Sequence, residues 1–440
     1  MTGRKGASQP SAEDIDVTSG RLWHGGTLLS SHLSPRPPGS LMFTAPSAPA
    51  LPRLPALDGV RVIGAAAVIA QHVGFITGVT TRETWGGWIA MMDFAVALFF
   101  TLSGFLLFRP WARAAATGSA TPGARRFYWK RAIRILPAYW LAVIVCLAVL
   151  PEQGVAPWGD WLRHVTFTHI YEHARIRPGL GQTWSLATEV VFYLLLPLAA
   201  AALVGRRWRP VRTVALAGVG AVITVGWIVA MGAGLLDTGL HIMWFPSYAL
   251  WFAAGIVLAT IHVALRTSTA PRSWQVFDQF GSAPLACWGI ALGLLAVAST
   301  SITGPRGVAA PTAGQFAAQL GLYVGVAVMI LIPLVFGPTT LLSLALGSAP
   351  IRWLGTLSYG MFLWHPLVLE LIFRIEGRAY FTGNPVRIYA LTLCGAIAFA
   401  AVSYYVVERP VLRWGSATAR RRAGRATEHQ RAVTAASAAS

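Results

Sequence analysis

The sequence predicts an all-α protein, a polytopic transmembrane helical bundle of about ten spans with both termini in the cytoplasm. Three observations carry that prediction. Of 440 residues, 55% are hydrophobic and only 12% are charged, more apolar surface than a soluble fold can bury. The excess is gathered into runs of roughly 18 to 24 residues, the length that crosses a hydrocarbon core of about 30 Å. Those runs are apolar on every side rather than alternating, as lipid-embedded helices are and barrel strands are not. Transmembrane barrels, disulfide-rich secreted scaffolds and cytosolic enzymes are thereby excluded.

Residues 1–53 are rich in Ser, Pro and Gly, contain no apolar run long enough for a cleavable export signal, and are expected to be disordered. Met42 offers a shorter reading frame, so residues 1–41 need not be translated. Spans are expected at 59–79, 88–108, 135–150, 183–204, 211–234, 244–265, 284–300, 315–336, 352–373 and 388–407. With a cytoplasmic N-terminus, 27 Lys and Arg fall on cytoplasmic segments and 8 on the other side. That bias fixes the expected orientation and explains most of the net charge of +19 without invoking nucleic acid. A basic tail at 415–440 is expected to be solvated and to touch anionic lipid. The membrane domain is then 54–414. Cys146, Cys287 and Cys394 fall in separate spans without metal-ligand spacing, so no metal is expected.

Chemistry must lie between the helices, where polar residues are functional candidates by default. On the first span His72 follows Arg61 by 11 residues, about three turns, so both share a face roughly 16 Å apart along the axis. His72 reads equally well as an interhelical hydrogen-bonding group, and Arg61 as a snorkelling side chain. Before the third span, Arg131 and Arg134 stand at i, i+3 spacing and can point toward one anion, or simply anchor the span among interfacial aromatics. Glu189, in Trp184-Ser185-Leu186-Ala187-Thr188-Glu189, is expected about one turn below the outer surface. His365 is expected about 20 Å up the ninth span. At matched depth, His72, Glu189 and His365 suggest a polar cavity. Pro366 leaves a carbonyl without its usual donor, so His365 also reads as a kink marker.

Taken together these residues resemble acyltransferase family 3, a family of bacterial integral-membrane O-acyltransferases. The resemblance rests on Leu57-Asp58-Gly59-Val60-Arg61 with His72, Phe99-Phe100-Thr101-Leu102-Ser103-Gly104-Phe105-Leu106, Arg131 and Arg134 with Pro137, Tyr139 and Trp140, Trp184-Ser185-Leu186 with Glu189, and Ser358-Tyr359 ending in His365. It implies a multi-pass protein of the bacterial cytoplasmic membrane that moves an acyl group from acyl-CoA, acetyl-CoA above all, to a hydroxyl of a glycan or glycosylated secondary metabolite. Arg61, Arg131 and Arg134 would hold the coenzyme phosphates. His72 would be the general base, with Glu189 orienting its ring, and Ser103, Tyr359 and His365 would position substrate. The pattern departs at Val190, where many members carry a second Glu, and in showing no appended esterase-like domain, which implies a self-contained transferase. A proton-coupled transporter or flippase is the alternative, although no inverted repeat is visible.

Overall fold

In the computed structural model, residues 53–150, 156–172, 177–415 and 418 are described. The expected disordered segments at 1–53 and 415–440 lie almost wholly outside them. Among the described residues every regular element is helical, and nine helices are long and apolar enough to cross a membrane. The chain is a multi-pass membrane protein of the expected class.

The principal helices are α1 (Ala56–Ile76), α2 (Phe94–Thr117), α3 (Ala124–Val149), the short α4 (Trp158–Val165), α5 (Thr183–Val204), α6 (Pro210–Gly232), α7 (Phe245–Arg266), α8 (Pro284–Ala298), α9 (Ala313–Phe336), α10 (Ala349–Ile375) and α11 (Pro385–Ser403). Their ends carry ordinary start and stop chemistry. Thr312 and Gln315 form a capping box at α9, the Asn384 side chain accepts from the Arg387 amide at α11, and α2 stops at Gly118 in the left-handed conformation.

Two differences from the expected spans have physical causes. The seventh span, expected at 284–300, is the 15-residue α8, about 22 Å long and too short to cross alone. It reaches ten crossings only when joined to Arg272–Gly281, from which it is bent by 83°; Pro284 starts the new helix and cannot continue the old one. The third span, expected from Ile135, begins at Ala124. Arg and Lys are good helix formers but unfavourable in hydropathy, so the basic segment is helical although no hydropathy reading includes it. Arg131 and Arg134 therefore sit on the same rigid helix as the span.

Packing centres on α2 against α7. Gly104 and Gly255 face one another there: a Cβ on Gly104 would lie 3.1 Å from the Gly255 Cα, and one on Gly255 would lie 2.6 Å from the Phe105 amide nitrogen. Small residues at a crossing let backbones approach, which is how lipid-embedded helices gain packing energy without a hydrophobic drive. Beyond Ser403 the chain makes a π-helical turn, Tyr404–Glu408, which turns Glu408 into the protein, 2% exposed.

Candidate active site

Between α1, α2, α3, α5 and α10 lies a cavity of about 1530 Å³. Arg61, Ser103, Arg131, Arg134, Glu189 and Tyr359 line it, so one space gathers six of the eight residues singled out in the sequence. Arg125, Arg126 and Lys130, on the first turns of α3, add positive charge to its wall. They were visible in the sequence as a basic run, but nothing there distinguished cavity wall from topology anchor.

The guanidinium groups are not equivalent. Arg61 Nη1 lies 3.3 Å from Asp58 Oδ1, one turn away, with both side chains over a third exposed. Arg134 is committed: Nη1 donates to Glu408 Oε2 at 3.3 Å and Nη2 to the Thr356 carbonyl at 3.3 Å, with the Tyr359 ring beneath it at 6.0 Å. Arg131 lies over the Tyr193 ring at 6.0 Å, and its buried Nε has no hydrogen-bond partner. Of the three, Arg131 alone has no carboxylate within ion-pair distance among the described residues, Glu189 interacting with it electrostatically from the same cavity. Glu408 was missed by sequence reasoning, although a carboxylate at the end of the last span is a signal of the kind that marked Glu189.

Glu189 accepts a hydrogen bond from Ser103 Oγ and one from Tyr193, one turn on along α5. It does not reach the His72 ring as the family resemblance suggested. That ring is held by its own helix: Nδ1 is 3.0 Å from the Val68 carbonyl oxygen. A carbonyl only accepts, so Nδ1 carries the proton and Nε2 is left with its lone pair.

The structure instead brings His72 to His365. Their ring centroids are 4.9 Å apart at 74°, edge to face. His365 is wholly buried, its Nδ1 lies 2.8 Å from the Phe362 carbonyl, and its Nε2 has no partner. Phe362 is four residues before Pro366, and so its carbonyl is the one that proline deprives of a backbone donor. The imidazole fills that vacancy. The kink reading and the site reading of His365 are one feature: the proline frees the acceptor that fixes the tautomer. Two imidazoles, each with Nδ1 held by a carbonyl of its own helix, thus lie side by side and outside the cavity lining.

A second pair of histidines lies outside the spans, near α4. His164 and His169 stack at 4.7 Å and 6°. His164 Nδ1 donates to the Asp160 carbonyl at 2.8 Å, and His169 Nε2 meets Thr183 Oγ1 at 3.0 Å. Burial pushes the pKa of both down, that of His169 to about 3 with help from its neighbour. Asp160 is also paired with Arg177 and Arg163, while His164 Nε2 and His169 Nδ1 are buried without a hydrogen-bond partner. Among the described residues no three His, Cys, Asp or Glu side chains gather at metal-binding distances.

The family model described as an acyltransferase domain matches residues 54–405. The chain is 25% identical over 391 residues to the peptidoglycan O-acetyltransferase OatA of Listeria monocytogenes, covering 82% of this chain and 56% of the relative. It is 29% identical over 338 residues to the exopolysaccharide production protein ExoZ of Rhizobium meliloti, covering 73% and 90%. The O-acetyltransferase OatA of Staphylococcus aureus is 22% identical over 386 residues, covering 82% and 58%. The chain therefore spans little more than half the length of the two OatA relatives. No solved structure gives a significant match. With a match that takes in most of its length, the chain belongs to this acyltransferase family.

Proposed function

From that membership we propose that the chain is an O-acyltransferase of the bacterial cytoplasmic membrane that moves an acyl group from cytoplasmic acetyl-CoA to a hydroxyl of a carbohydrate or glycosylated small molecule. The observation that carries the reading is the arrangement of the site: a large basic cavity ends beside two imidazoles whose proton-accepting nitrogens are free. The named relatives are a peptidoglycan O-acetyltransferase, an O-acetyltransferase and an exopolysaccharide production protein, which favours a glycan acceptor. The positive-inside bias of the sequence puts the basic end of the bundle, and both termini, on the cytoplasmic side where coenzyme A is found. The residues from 54 to 414 form the transferase.

In this mechanism Arg131 and Arg61, with the basic residues of the first turns of α3, receive the phosphates of coenzyme A through charge-assisted hydrogen bonds. The pantetheine arm runs along the cavity past Ser103 and Glu189 toward His72. His72 Nε2 takes the proton of the acceptor hydroxyl as its oxygen attacks the thioester carbonyl. The C–O bond forms, the C–S bond breaks, and the proton passes from the imidazolium to the departing thiolate, leaving an ester and free coenzyme A. His365, in edge contact with His72, positions that ring; Ser103 and Tyr359 face the substrates from the cavity wall.

The test is acetyl-CoA binding by the purified protein in nanodiscs, followed by release of coenzyme A thiol on addition of oligosaccharide acceptors. Saturable binding with acceptor-dependent thiol release supports the reading. A folded protein that binds no acetyl-CoA overturns it and returns the transporter alternative, since a carrier has no reason to bind the donor.

A further inference from the structure

The cavity that would receive the donor and the histidines that would use it are not one continuous space. On α1 the order along the helix is Arg61, then Gly64, then Val68 and His72. On α10 it is Tyr359, Phe362 and His365. Arg61, Tyr359 and Phe362 line the cavity, whereas His72 and His365 do not. At the intermediate level the α2 residue Phe99, also part of the lining, crosses between the two helices. Its ring meets that of Phe362 edge to face, centroids 6.1 Å apart at 81°. On the far side of Phe362 the His365 ring begins, 5.9 Å away.

Gly64 gives Phe99 its seat. A Cβ at that position would fall 2.9 Å from Cε1 and Cζ of the Phe99 ring, so glycine lets the edge of the ring rest against α1. Both phenyl rings are partly exposed to the cavity rather than locked in the core. They are large, rigid and without a polar atom, in a wall that mixes apolar side chains such as Leu102, Leu106 and Ile135 with the guanidinium, hydroxyl and carboxylate groups. A structural pair would serve equally well in the core. What sets this one apart is its place, between the basic layer and the histidine pair on two helices at once.

We infer that Phe99 and Phe362 form a partition between the basic cavity and the histidine pair, and that how far these neighbouring rings can part sets the largest acyl group the enzyme transfers. The inference rests on the proposed acyl-CoA reaction. A thioester arm carrying an acetyl group adds one methyl beyond the carbonyl and passes between two aromatic edges with small ring movements. Each further methylene must be accommodated beside the same rings. Interiors are close-packed, so a methylene too many is felt as overpacking. The partition is therefore a specificity element, and neither phenyl group takes part in bond making.

The experiment compares acetyl-, butanoyl- and hexanoyl-CoA as donors for the full chain in nanodiscs, with coenzyme A titrated separately as a measure of donor-site integrity. The wild type should fall steeply in kcat/KM from acetyl to hexanoyl. Phe362→Ala and Phe99→Ala should raise the hexanoyl-to-acetyl ratio at least tenfold while coenzyme A affinity stays within a factor of two. Gly64→Ala, which presses on the Phe99 ring but removes neither ring, should not raise that ratio. A merely structural role would lower all three donors by a common factor and leave the ratio unmoved. An unchanged ratio in both folded phenylalanine variants, or a flat chain-length profile in the wild type, overturns the partition and leaves the acyltransferase reading intact. A wild type that neither binds acetyl-CoA nor transfers its acyl group overturns both.

Discussion

Replacing Arg134 with Gln should weaken the fold more than it weakens donor binding, and replacing Arg131 should do the reverse. Arg134 holds Glu408 at 3.3 Å, and the two side chains are 29% and 2% exposed. Removing the cation leaves a carboxylate stranded in the interior, a change that typically costs about 3–5 kcal/mol. The partial exposure of Arg134 admits some water and puts the expected loss near the lower end, about 3 kcal/mol. That corresponds to a fall of roughly 5 °C in apparent Tm. Glu408→Gln should cost less, because the guanidinium it leaves behind keeps the Thr356 carbonyl and its share of solvent. The double variant should recover part of the loss of Arg134→Gln, since it strands no charge. Arg131, with no anion committed to its buried Nε, should instead lose a charge-assisted phosphate contact worth about 1.5–3 kcal/mol, roughly 10- to 150-fold in Kd for coenzyme A. Thermal unfolding in detergent and titration calorimetry read the two quantities separately. Arg134→Gln losing donor affinity at unchanged Tm would refute the reasoning, because Glu408 would then not be its partner in the working protein.

Three further outcomes follow from the structure. His164 and His169 have pKa values lowered in the fold, that of His169 to about 3, so the unfolded chain binds more protons below about pH 6.5. Stability should be intact above pH 6.5 and fall as the pH drops toward 3, and His169→Phe should flatten the dependence in that window; an identical pH profile in the variant contradicts the assignment. Gly104→Val should abolish recovery of folded protein, because its Cβ has no room against α7, whereas Gly226→Val, with open space around the same position on α6, should be tolerated; size-exclusion profiles in detergent decide between them. Reporter fusions should place both termini in the cytoplasm, and activity of an exported reporter at either end overturns the orientation.

The fold class was legible because hydropathy and length are the properties a bilayer selects, and nine helices of the expected kind lie close to the expected spans. Less legible was what composition does not encode. The i, i+3 spacing of Arg131 and Arg134 was legible as helical, but their charges hid that the same helix runs on from Ala124 as the span, and the 83° bend before Pro284 could not be read from an apolar run expected to cross alone. For the site, residue type and spacing led to the cavity, since Arg61, Ser103, Arg131, Arg134, Glu189 and Tyr359 all line it. Partnerships were another matter. Depth along a helix can be counted from a sequence, but the direction in which a neighbouring helix faces cannot. Glu189 therefore turned out to serve Ser103, and His365 to be the neighbour of His72. Phe99 and Phe362 drew no notice as aromatic residues in apolar spans, where only their level between charged and imidazole layers sets them apart.

The central claim is that His72 removes the proton while the basic cavity holds the donor some three helical turns away. The most direct measurement is acyl transfer by His72→Ala, with coenzyme A affinity determined on the same preparation. The account predicts a loss of about 10²–10⁴ in rate, the usual range for removal of a general base, at nearly unchanged coenzyme A affinity. Near-full turnover in His72→Ala, together with an inactive His365→Ala, would contradict it and move the base to α10.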